Sequence, residues 1–372
     1  MGKIGLCRQS KKSFWVKIIN INHHYKKPLP KKFSRGFFLY IYTMRTVITF
    51  ILLSNIVFAQ PFTTDILPGF KQLTIHQPND YDGKVTTTLI CKTKEGNNKA
   101  VLYIHGFSDY FFQTEMAEQY LAHGFDFYAV DLRKYGRSHL PNQRFFDVRT
   151  IHEYDADIDT ALHVIKHNGY ANILLSGHST GGLIAATYAH TQQGKELFDA
   201  VYLNSPFLDM NLNEFTENIV VPFGSMLGAM LPRVKATSSL SPLYGYSIHK
   251  SYYGEWDFDT LWKPMIAPAV NFGWTRAIHR AHKEVQKGNC ISKPTLIMSS
   301  DHSTYEKKWN EKLTAGDAVL DVKDIQTYGA KLGLQTTVII IPSGLHDLVL
   351  SKKNSREKVY SELFNWLQKT LN

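Results

Sequence analysis

The sequence predicts an α/β fold: a mostly parallel central sheet flanked by helices and interrupted by a helical cap insertion. Three observations predict it. From residue 70 onward, short β-rich runs alternate with helical stretches, and strand–helix–strand units with short links build parallel sheets covered on both faces. The alternation stops across 207–289, a stretch rich in Pro, Gly, Met and aromatic residues, and then resumes. Gly177-His178-Ser179-Thr180-Gly181 stands between a strand pattern and a helix pattern, the setting in which Gly-x-Ser-x-Gly forms a sharp turn.

The elements follow in order. Val85 to Lys92 reads as a strand, and Ala100 to Ile104 as a short buried strand ending at His105-Gly106. Thr114 to His123 has helical spacing through Met116, Tyr120 and Leu121, with Gly124 as its stop. Phe125 to Leu132 is the next strand, His152 to Lys166 a helix with Ile158, Leu162 and Ile165 on one face, and Ile173 to Ser176 a strand. Leu183 to His190 is a helix and Ala200 to Leu203 a strand. After the interruption come a strand over Pro294 to Ser299, a helix over Val322 to Leu332, a strand over Thr336 to Ile341 and a closing helix over Glu357 to Leu371. Residues 60–206 and 290–372 thus form one core, and 207–289 a cap or lid inserted into it.

Charge separates the first 59 residues from the rest. The chain of 372 residues has a formal net charge of +10, but 11 of its 42 Lys and Arg and none of its 32 Asp and Glu lie in 1–59. The remainder is close to neutral, so the body carries no nucleic-acid footprint. Met44-Arg45, the apolar run from Thr46 to Phe58, and Val57-Phe58-Ala59 before Gln60 form a signal-peptide pattern over 44–59. The run is shorter than the ~20 residues of a membrane span. On this reading translation starts at Met44, residues 1–43 are a basic leader upstream of the true start, and the protein is exported. The alternative is an uncleaved membrane anchor. Cys91 and Cys290 could pair in an exported chain or remain two buried thiols. No Cys cluster or His-Glu-x-x-His pattern occurs, and no metal or organic cofactor is expected.

The chemistry concentrates in three loops. The turn at Ser179 lifts a serine hydroxyl to the carboxyl end of the sheet and to a helix N-terminus, where N–H groups and the dipole favour developing negative charge. Small neighbours are required because side chains would strike the adjacent strand and helix. His105-Gly106-Phe107, after the strand ending at Ile104, can turn the Phe107 N–H toward an oxyanion, with Thr180 N–H as the second donor. His105 precedes the serine and reads as a structural hydrogen-bonder. His346, in Gly344-Leu345-His346-Asp347 after the last strand, holds the place of the general base in the chain order serine, acid, histidine. Two acids follow the strand at Pro294: Asp301 and Asp317. Asp321 has the position of a helix N-cap.

Together, His105-Gly106-Phe107, Asp131-Leu132-Arg133-Lys134-Tyr135-Gly136-Arg137-Ser138 and Gly177-His178-Ser179-Thr180-Gly181-Gly182 resemble the monoglyceride lipase and lysophospholipase branch of the α/β-hydrolases, also labelled serine aminopeptidase-like. Most of the chain beyond residue 85 shares the resemblance. It departs at Lys134-Tyr135, where members typically carry Gly-His. The resemblance implies an α/β-hydrolase fold and a serine hydrolase cleaving carboxylic esters through a Ser-His-Asp triad and an acyl-enzyme. It also implies the acid: Gly316-Asp317-Ala318-Val319-Leu320-Asp321 is similar to the family's Asp-x-Val-x-Asp stretch. Asp317 is therefore the expected acid and Asp301 the alternative; the choice makes Asp301 to Ala315 an insertion or a longer loop.

The cap carries the substrate information. Its Phe, Met, Tyr and Trp residues, Phe223, Met226, Trp256 and Trp274 among them, suit a small-molecule ester with an apolar acyl group and a transient contact with a lipid surface. Most of them are expected to pack the cap onto the core. Two other functions fit the same fold. A serine aminopeptidase would want an acidic anchor for an amine, for which Glu214, Glu217, Glu255, Asp257 and Asp259 are candidates. An inactive binding protein would show an acid that fails to reach His346.

Overall fold

The computed structural model describes residues 61–212, 215–235 and 241–371. The basic leader, the signal segment and Glu214 lie outside the described residues.

Nine strands form one sheet: β1 (Thr63–Thr64), β2 (Lys71–Asp80), β3 (Gly83–Lys92), β4 (Lys99–Ile104), β5 (Phe125–Asp131), β6 (Asn172–His178), β7 (Ala200–Asn204), β8 (Thr295–Ser300) and β9 (Thr336–Ile341). Their spatial order is β1-β2-β3-β5-β4-β6-β7-β8-β9. The pairs β1–β2, β2–β3 and β3–β5 are antiparallel, and every pair from β5–β4 to β8–β9 is parallel. The central strands are buried on both faces, and their side chains divide with period two. Leu102 of β4, Leu175 of β6, Val201 and Leu203 of β7 and Ile297 of β8 join one apolar cluster. Val101 and Tyr103, Leu174, Tyr202, and Leu296 and Met298 join another on the opposite face.

The helices that cover the sheet are α1 (Thr114–Ala122), α2 (Asp155–His167), α3 (Thr180–Thr191), α7 (Val322–Gly329) and α8 (Lys353–Thr370). Between β7 and β8 the chain adds α4 (Val221–Met230), α5 (Leu243–Ile248) and α6 (Phe272–Val285). These short helices lie within the stretch 207–289. α6 also docks on the core, because Trp274, Ala277, Ile278, Ala281 and Val285 on one of its faces belong to the first cluster.

The pattern reading missed β1 and β2. β2 has the sequence KQLTIHQPND and lies partly exposed at the antiparallel side of the sheet, with a register shift between Gln77 and Asp80. A half-wet strand containing a proline shows little apolar alternation. α8 begins at Lys353, four residues before the expected start at Glu357, since its first turn is polar. Asp321 caps α7, its carboxylate accepting from Lys323 N at 2.9 Å, as expected for an acidic residue at that position. Cys91 and Cys290 are both buried, and no disulfide joins them.

Candidate active site

The strand β6 runs into α3 through Ser179, whose φ of 53° and ψ of −120° lie outside the regions a non-glycine residue favours. The surrounding contacts enforce this backbone. Ser179 N donates to Asn204 O at 3.0 Å, and Ser179 O accepts from Phe207 N at 3.0 Å and from Leu183 N at 3.1 Å. The neighbouring glycines are obligatory for close approach. A Cβ at Gly177 would stand 2.3 Å from Gly181 O, and one at Gly181 only 2.3 Å from His105 O. The collisions expected from the sequence therefore have named partners, including the loop that begins at His105.

That loop presses on the serine. A Cβ at Gly106 would lie 3.3 Å from Ser179 Cβ. His105 Nε2 accepts from Leu132 N at 3.1 Å, which leaves Nδ1 to donate to Gly106 O at 2.8 Å. His105 is thus a buried structural hydrogen-bonder that ties the loop to the end of β5. Among the described residues, Phe107 N and Thr180 N find no acceptor in the protein, as two donors reserved for a bound oxygen would require.

His346 reaches the serine from the loop after β9. Its Nδ1 donates to Asp317 Oδ2 at 2.9 Å, and its Nε2 lies 2.9 Å from Ser179 Oγ as acceptor. All three side chains are buried. A hydroxyl within reach of an imidazole that a carboxylate orients is the arrangement by which serine oxygens become nucleophiles. The other oxygen of Asp317 accepts from Val319 N and Leu320 N, each at 2.8 Å.

Of the two acids left open by the sequence, the geometry brings Asp317 to His346. Asp301 turns elsewhere, to His302 Nδ1 at 2.7 Å and Ser343 N at 3.0 Å. The extra residues between them form a pinched loop. Thr304 N donates to Asp317 O at 2.7 Å and Asp317 N to His302 O at 2.9 Å, so the loop closes on itself and returns Asp317 to the end of β8. Trp309, at its outer part, stacks on Tyr253 at 3.6 Å.

Two features escaped the sequence reading. Asp347, beside His346, is buried and held by Asn204 Nδ2 at 2.8 Å and Gln113 Nε2 at 3.1 Å. Burial raises its pKa above the ordinary carboxyl value. The Tyr244 hydroxyl accepts from Asp347 N at 3.1 Å, so a cap residue also fixes this loop. His178 packs edge-on against His346 at 4.9 Å, and neither of its ring nitrogens has a partner among the described residues. Burial, and then the neighbouring His346, hold its pKa well below the usual imidazole range, so it stays neutral. Only the adjacency of His178 to Ser179 and of Asp347 to His346 could have signalled them.

The cap residues divide. Trp274 is buried and packs on Phe107 at 4.9 Å, but Phe215, Phe223, Met226 and Met230 are exposed. The expectation that most of the apolar residues pack the cap onto the core fails for these four and also for Leu231, Tyr252 and Tyr253. The first four lie along the helical run ending in α4.

A mostly parallel sheet, a strained serine at the strand-to-helix turn after β6, and a histidine and an acid on later loops define an α/β-hydrolase. The chain belongs to the family described as serine aminopeptidase, S33, which it matches over residues 95–350. It is similar to the AB hydrolase superfamily protein YisY of Bacillus subtilis (strain 168), at 30% identity over 112 residues; the match spans 30% of this chain and 39% of the length of that relative. Its fold is similar to that of a soluble variant of the monoglyceride lipase from Saccharomyces cerevisiae, with a TM-score of 0.60 at 17% identity, covering 83% of this chain and 97% of that one. It is also similar to the Paleococcus ferrophilus monoacylglycerol lipase, with a TM-score of 0.53 at 17% identity, covering 76% and 98%.

Proposed function

We propose that the protein is a carboxylic ester hydrolase that works through an acyl-enzyme on Ser179. His346 takes the serine proton as Oγ attacks the ester carbonyl, and Asp317 holds and stabilises the resulting imidazolium. The oxyanion is met by the N–H groups of Phe107 and Thr180. His346 then protonates the leaving alcohol, and water repeats the sequence to release the acid. The observation that carries this reading is the continuous chain from Asp317 Oδ2 through both nitrogens of His346 to Ser179 Oγ, with each link at 2.9 Å. An inactive binding protein would have no need of it.

The acid anchors required by an aminopeptidase are engaged by other partners wherever they are described. Asp257 pairs with Lys250, Glu255 lies 3.6 Å from Arg356, and Asp259 accepts from Leu261 N at 2.7 Å. Glu217 shares a hydrogen bond with Asp209, and burial with that neighbour pushes it up to about 7. The names of the two lipase structures support an ester with an apolar acyl group.

The same proposal includes a lipid surface as the place of action. Phe215, Ile219, Phe223, Met226 and Met230 are all exposed and recur at helical spacing, forming an apolar stripe on the outside of the cap. Among the described residues no helix is long and apolar enough to cross a membrane. The proposal also includes a cap spanning 207–289 and export through segment 44–59, which N-terminal sequencing of exported protein would test by finding Gln60 first.

Turnover of p-nitrophenyl esters of increasing chain length, set against aminoacyl anilides, tests the substrate class. The account expects ester turnover rising from the acetate to medium chains and negligible anilide cleavage. Preferential cleavage of anilides would overturn it.

A further inference from the structure

The loop that supplies the Phe107 N–H is poorly held by its own backbone. Ser108 has a φ of 52°. Among the described residues, no backbone–backbone hydrogen bond involves Phe107, Ser108, Asp109 or Tyr110. Within it Phe107 packs on the core residue Phe146 at 5.0 Å, and Tyr110 N donates to Asp109 Oδ1 at 2.9 Å. Hydrogen bonds to the core begin beyond this point, where Phe111 N donates to Asp131 Oδ1 at 2.9 Å and Phe111 O accepts from Arg137 Nη1 at 3.1 Å.

The cap supplies a second set of contacts to residues 107–112. Lys263 Nζ lies 2.9 Å from Asp109 Oδ1, with Asp109 buried and Lys263 nearly so. Asp259 N donates to the Tyr110 hydroxyl at 2.7 Å. Trp262 meets Tyr110 edge-on at 5.1 Å, Phe258 packs on Phe112 at 5.0 Å, and Trp274 packs on Phe107 at 4.9 Å. The second carboxylate oxygen of Asp109 is buried with no partner, so Lys263 is the group that neutralises it.

We infer that the Asp109–Lys263 ion pair is a latch through which the cap positions the oxyanion loop, making both residues positioning residues for the reaction. The inference rests on the assignment of Phe107 N as an oxyanion donor. A buried charge pair is directional and fails when either partner moves. Closing the cap over an ester therefore sets Asp109, and through the short link of Ser108 it sets Phe107 N. Opening the cap frees a segment with no ladder of its own. The cap then acts on the chemical step and not only on substrate binding. Its effect extends to esters too small to touch the acyl side of the lid.

The test uses the full chain and four variants: Lys263→Met, Asp109→Asn, the double variant, and Lys263→Arg. The substrate is p-nitrophenyl acetate, whose acyl group is too short to profit from an apolar lid. Removing an oxyanion donor outright costs about 100- to 1,000-fold in kcat, so displacing one is expected to cost on the order of 10- to 100-fold. Lys263→Met and Asp109→Asn should each lose that much in kcat with little change in KM, and Lys263→Arg should recover most of it. The double variant separates positioning from a stray charge. It removes the unpaired carboxylate, so it should fold well and still be slow. Hydrogen exchange gives a readout independent of turnover: amides of 107–110 should exchange faster in Lys263→Met while those of β4 do not change. Wild-type kcat in the double variant, or unchanged exchange in the loop, would overturn the latch. Absence of ester turnover in the unaltered chain would instead remove the hydrolase reading, with the exchange result still deciding whether the pair holds the loop.

Discussion

The sheet and the cap solve opposite problems with similar residues. In β4, β6, β7 and β8 apolar side chains alternate between two buried clusters, and the strands are dry on both faces. In the run from Phe215 to Met230, Phe215, Ile219, Phe223, Met226 and Met230 form an exposed stripe, while Val221 and the small residues Gly224, Ser225 and Gly228 are buried. A Cβ at Gly228 would stand 2.2 Å from Phe272 O, so α4 packs on α6 through its small side. The lesson is that hydrophobicity fixes what is buried only where the neighbours leave room; in the cap, close helix packing expels the large side chains to the surface. In the proposed mechanism the sheet supplies rigidity for the chemistry, and the cap supplies a contact surface and a grip on the loop of Phe107.

The sharpest way to break this division is at the acid. Asp317→Asn should reduce kcat by about 10,000-fold, the scale seen when the acid of such a triad loses its charge. Asp301→Asn should leave kcat within about twofold, because its carboxylate serves His302 and Ser343 N. Steady-state kinetics on one ester separates the two. Next in size is Gly181→Ala. With a Cβ 2.3 Å from His105 O, the turn and the oxyanion loop must part. The expected loss is about 3 kcal/mol of stability, read by denaturant unfolding.

Acid should then report on the packing of α6. His282 of α6 is buried, with Nε2 2.9 Å from Phe207 O, and burial lowers its pKa from 6.5 to about 4. The unfolded chain takes up the proton first, so this contribution is complete above pH ~6.5 and drains away as pH falls toward 4. Moving from pH 7 to pH 5 should cost about 2 kcal/mol from this residue. His282→Gln should remove that part of the pH dependence in thermal melts. The smallest effect on stability is expected on the outer stripe. Phe223→Ser with Met226→Ser should change unfolding free energy by less than ~0.5 kcal/mol per site yet weaken binding to phospholipid vesicles. A large loss of stability there would mean that the stripe belongs to the core after all.

The same contrast explains what could be read from the sequence. The parallel strands announce themselves because burial on both faces demands short, nearly continuous apolar runs. The serine turn does so because its glycines are set by collisions at fixed spacing. His346 follows from chain order. Asp317 could not be separated from Asp301 by the residues alone, since the choice depends on a loop pinched shut by Thr304 and His302. β2 was missed because one side of it is wet. The Asp109–Lys263 pair left no local signature at all, because its partners are remote in sequence and meet only through the folded cap.

The central claim is that Ser179 is a nucleophile activated by His346. The most direct measurement is covalent labelling by a fluorophosphonate probe, comparing the unaltered chain with Ser179→Ala and His346→Ala. The account predicts a single labelled site in the unaltered chain, no labelling in Ser179→Ala, and labelling slowed by several orders of magnitude in His346→Ala. A well-folded unaltered chain that takes no label, or label that persists in Ser179→Ala, would contradict it.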